Sequence, residues 1–255
     1  KYEIKLGLTG KYAQLRDAYA SIEKAVEHCG AHLNAKVEID WIDTTLMKPE
    51  EATQTLKSFN GVIVPGGFGH RGIEGKIDAV KFARERDVPF FGICLGMQCA
   101  VIEYARNVLG LPQANSTEFD GNTPDPVICL LEEQRTVTDK GGTMRLGAQP
   151  CLLEEGSGAE ECYGTTLISE RHRHRYEFNP AYRDRFVEAG LVPTGRHAEG
   201  DLVEVIEVPE NNWFLAAQFH PEFKSKPDQA HPLFAGFVEA AIDRKNVDAE
   251  ARLMV

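Results

Sequence analysis

The sequence predicts an α/β fold: a three-layer domain with a mostly parallel central sheet flanked by helices, plus a smaller mixed or antiparallel sheet. Three observations carry this expectation. Up to about residue 110, short apolar runs alternate with stretches whose apolar residues recur at helical spacing, the pattern of a parallel sheet covered on both faces. Within that half, Val88, Phe90, Phe91 and Ile93 suit a buried strand, and residues 97–109 carry a helical pattern directly after it. Beyond about Asn115 the rhythm changes to short strand-like runs between turn residues, as in antiparallel or mixed sheets.

Taken in order, residues 4–9 read as a first strand ending in Gly10. Leu15, Ala18, Tyr19, Ile22, Val26 and Cys29 then recur at helical spacing, with Gly30 placed to end that helix. Val37, Ile39 and Trp41 alternate with polar residues as a second strand, and Pro49 opens a short helix through Phe59. Residues 62–64 make a third strand and 65–75 a glycine-rich loop, after which Ile77, Val80, Phe82 and Ala83 lie in a helix leading to the central strand. In the second half, 127–131, 165–169, 202–208 and 214–219 read as strands and 181–189 and 233–242 as helices. The last ten residues are polar enough for a loose tail. One domain over 1–246 with a tail at 247–255 accounts for the chain, and a first residue Lys1 in place of methionine suggests a piece of something longer.

Composition narrows the function classes. With 42% hydrophobic residues and every apolar run far below the roughly 20 residues of a membrane span, no membrane role is expected. A net charge of −11 opposes binding to a nucleic-acid backbone. Six cysteines without CxxC pairs, in a chain too large to need disulfides, read as six thiols in a reducing, cytoplasmic compartment.

The chemistry centres on Gly92-Ile-Cys94-Leu-Gly96. A sharp strand-to-helix turn needs small residues two positions either side of its nucleophile, and the two glycines supply them around Cys94. A helix N-terminus also favours a thiolate over a thiol. The plainer reading, a cysteine as a small core residue, competes until partners are found. They are found at the end of the 214–219 run, which delivers His220-Pro221-Glu222. A thiol attacking an amide needs a base that takes its proton and returns it to the leaving ammonia, and the base needs a carboxylate to fix its tautomer; Cys94, His220 and Glu222 fill those roles. The loop from Gly66 to Gly72 contains a formal G-x-G-x-x-G, but a dinucleotide site wants an acidic residue at the end of the next strand, where Cys94 stands. The loop is better used as half of an oxyanion hole, with backbone N–H groups of Gly67 and Leu95 as donors. Residues 7–11 have only a superficial likeness to a phosphate loop, lacking its spacing and its serine or threonine. In the run 171–175, two histidines flanked by three arginines would repel a divalent ion, so no metal is expected.

On Pro65-Gly66-Gly67, the Gly92–Gln98 segment and Phe219-His220-Pro221-Glu222, the sequence resembles the class I, triad-type glutamine amidotransferases. The stretches 141–147 and 171–177, with 115–119 and 231–236, narrow the resemblance to the glutaminase domains of the CTP synthase family. The resemblance implies hydrolysis of L-glutamine through a thioester on Cys94, with ammonia passed to a synthetase domain absent from this chain, where ATP drives amination of UTP. It implies a glutamine pocket of Gly67, Leu95, Gly96, Met97 and Gln98, with Glu118 and Arg175 further out; a carboxylate and a guanidinium suit the ammonium and carboxylate of a free amino acid. Arg171 and Arg173 are expected in structural pairs or facing the missing domain. It further implies no cofactor in this domain, ATP, Mg2+ and activating GTP in the complete enzyme, a homotetramer, and a lid in which Phe68, Arg71 and Glu74 couple the two halves. The alternatives are another triad amidotransferase, such as a GMP synthetase subunit, against which 141–147 argues, and a silent binding module, against which the intact Cys94, His220 and Glu222 argue.

Overall fold

The computed structural model describes residues 2–10, 19–45, 47–130 and 144–253. The expected helical positions Leu15 and Ala18, and 141–143 of the segment 141–147, lie outside the described residues. The first half alternates as expected: β1 (Tyr2–Gly10), α1 (Ala20–His32), β2 (Ala35–Asp43), α2 (Pro49–Leu56), β3 (Gly61–Val64), α3 (Ile73–Glu85), β4 (Phe90–Ile93) and α4 (Leu95–Asn107). There follow β5 (Asn115–Ser116), β6 (Pro126–Cys129), β7 (Arg145–Leu153), α5 (Gly158–Tyr163), β8 (Leu167–His174), β9 (Glu177–Phe178), α6 (Arg183–Glu188), β10 (Val192–His197), β11 (Val203–Glu207), β12 (Phe214–Ala217) and α7 (Pro232–Leu253).

Nine of these strands form one sheet in the order β2-β1-β3-β4-β12-β11-β10-β7-β8. The stretch β2-β1-β3-β4-β12 is parallel, and from β12 through β8 every pairing is antiparallel. The later strands therefore continue the main sheet, and the small second sheet is β5-β6-β9, with one parallel and one antiparallel pairing.

Strand alternation builds the layers. Val62, Val64 and Phe90 pack with α2, α3 and α4, while Ile63, Phe91 and Ile93 point to the opposite face, into the core shared with α1, α5 and α7. The α3–α4 pair is pinned by Arg84, whose Nε and Nη2 donate to the two oxygens of the fully buried Glu103 at 2.9 and 2.7 Å.

Several boundaries differ from expectation: the strand expected over 165–169 runs over Leu167–His174, and the helix expected through Phe59 ends at Leu56. Gly30 lies inside α1, because the burial of Ile22, Val26 and Cys29 outweighs the roughly 1 kcal/mol a single helical glycine costs. The helix expected over 181–189 splits into a 3₁₀ turn at Pro180–Tyr182 and the short α6. The helix expected over 233–242 runs on to Leu253, into the residues expected as a tail; Asp, Arg, Lys, Glu and Ala without glycine or proline extend a helix readily. None of the helices among the described residues is long and apolar enough to cross a membrane.

Candidate active site

The C-terminal ends of the neighbouring parallel strands β3, β4 and β12 meet at one point, the usual place for a site on such a sheet. Cys94 follows β4 as the N-cap of α4, 4% exposed, with φ 51° and ψ −100°. A non-glycine residue at positive φ costs on the order of 1–3 kcal/mol, and this one is held by its own N–H donating to the Ala217 carbonyl at 2.7 Å and by its carbonyl accepting from Met97 and Gln98. In this conformation Cys94 lines a cavity at the end of the sheet. By contrast, burial pushes the thiols of Cys29, Cys99, Cys151 and Cys162 up to about 12, leaving them protonated and inert.

His220 arrives from β12 and is fixed from two sides. Its backbone N–H donates to the Arg171 carbonyl at 2.8 Å, and its Nδ1 lies 2.7 Å from Glu222 Oε1 on the 3₁₀ turn Pro221–Phe223. Burial opposes a charge on this imidazole, but hydrogen bonding to the Cys94 sulfur and to Glu222 outweighs it and pushes the pKa up to about 10. Gly66 closes the arrangement: a Cβ there would lie 2.7 Å from His220 Cε1 and 3.6 Å from Cys94 Cβ.

Cys94 and His220 open into a cavity of about 580 Å3 that Gly67, Phe68, Gln98, Glu118 and Arg175 also line. The structure thus brings most of the residues singled out from the sequence to one place. Gln98 reaches the cavity with its amide nitrogen committed to the Tyr176 carbonyl at 3.2 Å and Gln218 Oε1 at 3.3 Å, and Glu118 Oε1 accepts from the Gly69 N–H of the glycine-rich loop at 2.8 Å. Leu95 and Met97 have buried side chains and do not line the cavity, and neither does Gly96; Leu95 sits against Gly67, its Cδ2 3.3 Å from where a Cβ on Gly67 would be. Of the residues expected in a lid, Phe68 lines the cavity and is 68% exposed, Arg71 is exposed and does not line it, and Glu74 is ion-paired with Arg106 at 2.7 Å.

Sequence reasoning missed Met144, Tyr176 and His174 in the cavity wall, and placed Arg173 in a structural or interdomain role when it lines the same cavity. Arg171 does make a structural contact, its guanidinium 5.0 Å from the Phe223 ring. The missed signal was period two: along β8, Arg171 and Arg173 are exposed while His172 and His174 are buried.

That alternation also removes the argument used against a metal, since the arginines of 171–175 do not surround the histidines. His172, His174 and Glu204 place one ligand atom each within 4.8 Å of one another. The cluster is nevertheless spent within the protein: Arg145 lies 2.7 Å from Glu204 Oε1 and 3.4 Å from Glu177 Oε1, and His172 Nδ1 shares a hydrogen bond with His174 Nε2 at 2.8 Å. A guanidinium on the carboxylate and a proton between the imidazoles do not fit a cation.

The family model for class-I glutamine amidotransferases matches residues 14–240. A CTP synthase from Symbiobacterium thermophilum is 53% identical over 245 residues, 94% of this chain and 45% of that protein, and one from Methanocaldococcus jannaschii is 52% identical over 249 residues, 95% and 46%. The chain therefore spans a little under half the length of these relatives. The solved glutaminase domain of Trypanosoma brucei CTPS, with acivicin bound, matches with a TM-score of 0.88 at 38% identity over 94% of each chain. A glutamine amidotransferase from Thermotoga maritima, 12% identical with a TM-score of 0.53 over 96% of this chain and 98% of that one, shares the fold.

Proposed function

The chain belongs to the class-I glutamine amidotransferase family, and from that premise we propose that it hydrolyses L-glutamine to glutamate and ammonia, as the ammonia-producing part of a CTP synthase. The observation that carries this is the constellation of Cys94 and His220 on one cavity with the buried Glu222 behind them, His220 Nδ1 lying 2.7 Å from Glu222 and the imidazole also bonded to the Cys94 sulfur.

In this reading the Cys94 sulfur attacks the side-chain amide carbon, and the oxyanion forms beside the N–H groups of Gly67 and Leu95. His220, held as an imidazolium, gives its proton to the departing nitrogen, so that ammonia leaves and a glutamyl thioester remains. Neutral His220 then takes a proton from water, whose oxygen attacks the thioester; glutamate forms and the sulfur leaves with its electron pair. Glu222 keeps Nδ1 protonated and the ring aimed throughout. Glu118 and Arg175, on the same cavity, receive the ammonium and carboxylate of the amino acid, and Gln98 shapes its amide end, with Gly96 and Met97 behind it in the first turn of α4.

No cofactor is needed for these steps. The complete enzyme is proposed to use ATP and Mg2+ in its separate synthetase domain, to assemble as a homotetramer in the cytoplasm, and to respond to GTP through Phe68, Arg71 and Glu74. The test is incubation with 6-diazo-5-oxo-L-norleucine, followed by intact mass and peptide mapping. We expect one label, on Cys94, lost in Cys94→Ser and slowed by excess glutamine; no label, or equal labelling of Cys99 and Cys151, rejects the assignment.

A further inference from the structure

Behind the cavity wall the polar atoms of β8 form a chain whose direction can be read. His174 Nδ1 lies 3.3 Å from the Tyr176 carbonyl oxygen, which can only accept, and 3.4 Å from Glu177 Oε1; the nearer carbonyl has no proton of its own to give, and its pairing with this nitrogen requires the proton to sit on Nδ1. The surroundings keep both rings neutral: burial foremost, then the neighbouring cationic groups including Arg145, pushes His172 down to about 2 and His174 down to about 3. A neutral ring protonated at Nδ1 has a bare Nε2, so His174 Nε2 accepts, and His172 Nδ1, 2.8 Å away, donates. His172 Nε2 is then bare as well, and it is the one imidazole nitrogen of the pair that is buried without a hydrogen-bond partner among the described residues. A bare acceptor can be left there at less cost than a stranded N–H donor.

The chain ends on a carbonyl that matters to the site. The Tyr176 oxygen receives His174 on one side and Gln98 Nε2, from the first turn of α4, on the other. Tyr176 lies two residues past the end of β8, which presents the Arg173 carbonyl 4.0 Å from the Cys94 sulfur, and the cavity-lining Arg175 stands between. We infer that His172 and His174 are positioning residues: locked in the Nδ1–H tautomer, they clamp the 173–176 wall against α4 and set the affinity for the amino acid, leaving the reactivity of the thiol to His220. The inference rests on the reading that this cavity takes glutamine.

The two amide residues discriminate between the nitrogens of His172. Asparagine places its NH2 near the position of Nδ1, and glutamine places its own near Nε2. The rate of Cys94 labelling by 6-diazo-5-oxo-L-norleucine, measured against reagent concentration, separates half-saturation from maximal rate. His172→Asn is expected to stay within about twofold of the unsubstituted protein in half-saturation, whereas His172→Gln, losing one modest hydrogen bond, is expected to need roughly five- to tenfold more reagent at an unchanged maximal rate. Long-range 1H–15N spectra of the unsubstituted protein are expected to show two histidines with protonated Nδ1 and bare Nε2 that do not titrate down to pH 5. An Nε2–H tautomer at His174, or equal behaviour of the two variants, overturns the inference. Should the unsubstituted protein fail to label, the functional reading falls while the spectra still decide the tautomers; should His172→Gln fail to fold, the spectra decide alone.

Discussion

Gly66 shows how much of the site depends on a single missing methyl. An alanine there puts its Cβ 2.7 Å from His220 Cε1, well inside van der Waals contact, and the imidazole is the part able to move. Displacement by about 1 Å is enough to cost on the order of a hundredfold in rate, so Gly66→Ala is expected to label at Cys94 at least about a hundredfold more slowly. The overpacking itself should remove only about 1–3 kcal/mol of stability, read from urea denaturation. Normal labelling by this variant would mean that His220 does not need its present position. The residues at this scale that were legible in the sequence are those the local chain must use: glycines around Cys94, a glycine pair after β3, and a histidine and a carboxylate two apart after β12. Those that were not legible, Tyr176 and Met144 in the cavity wall and the inward-facing His172 and His174, lie on or beside the β7–β8 pair, whose register and burial no local pattern announces. The alternating arginines and histidines of 171–175 read as one block of charge until a strand separates them onto two faces.

At the scale of elements, the elbow works because α4 starts almost against β3. A Cβ on Gly96 would lie 1.9 Å from the Val64 carbonyl oxygen, a backbone atom at the end of β3 that cannot rotate away. Gly96→Ala must therefore push α4 off the sheet, and the helix is also held to α3 through Arg84 and Glu103. The expected outcome is a loss of at least about 2–3 kcal/mol in urea denaturation together with slowed labelling at Cys94, larger in stability than the Gly66 variant. A stable Gly96→Ala protein with unchanged labelling would show that the helix start is not fixed by this contact. The elements legible from periodicity alone were the strand–helix repeats of the first half, whose central strands β3 and β4 are buried on both faces, whose edge strand β2 alternates, and whose helices are amphipathic. β7 and β10 carried no such signal. β7 includes Gly147, Gln149 and Pro150 and is buried only near its end, and β10 includes Pro193 and Gly195; both are strands because β8 and β11 offer them partners, a property of the sheet more than of their own residues.

The stability of the whole molecule carries the signature of charges buried behind the site. Glu177 and Glu204 are fully buried around one guanidinium, and Arg145 sits closer to Glu204, at 2.7 Å, than to Glu177, at 3.4 Å. Burial first, and the nearby Glu204 next, outweigh Arg145 at Glu177 and push its carboxyl up to about 8. Between pH 4.5 and 8 the folded protein therefore holds a proton that the unfolded chain has released, and this group's contribution to stability falls as the pH rises through that window. His172 and His174 act in the other direction: held neutral in the fold, they take up protons only on unfolding, and their contribution is lost as the pH falls below about 6.5. The two effects are separated by comparison with Glu177→Gln, which keeps a carbonyl for Arg145 and cannot ionise. Urea denaturation of both proteins from pH 5 to pH 8 is expected to show the variant gaining on the unsubstituted protein with each step, by up to about 1.4 kcal/mol per pH unit. A difference that stays flat across that range would mean that Arg145 already holds Glu177 as a carboxylate, and that the single guanidinium suffices to neutralise both acids.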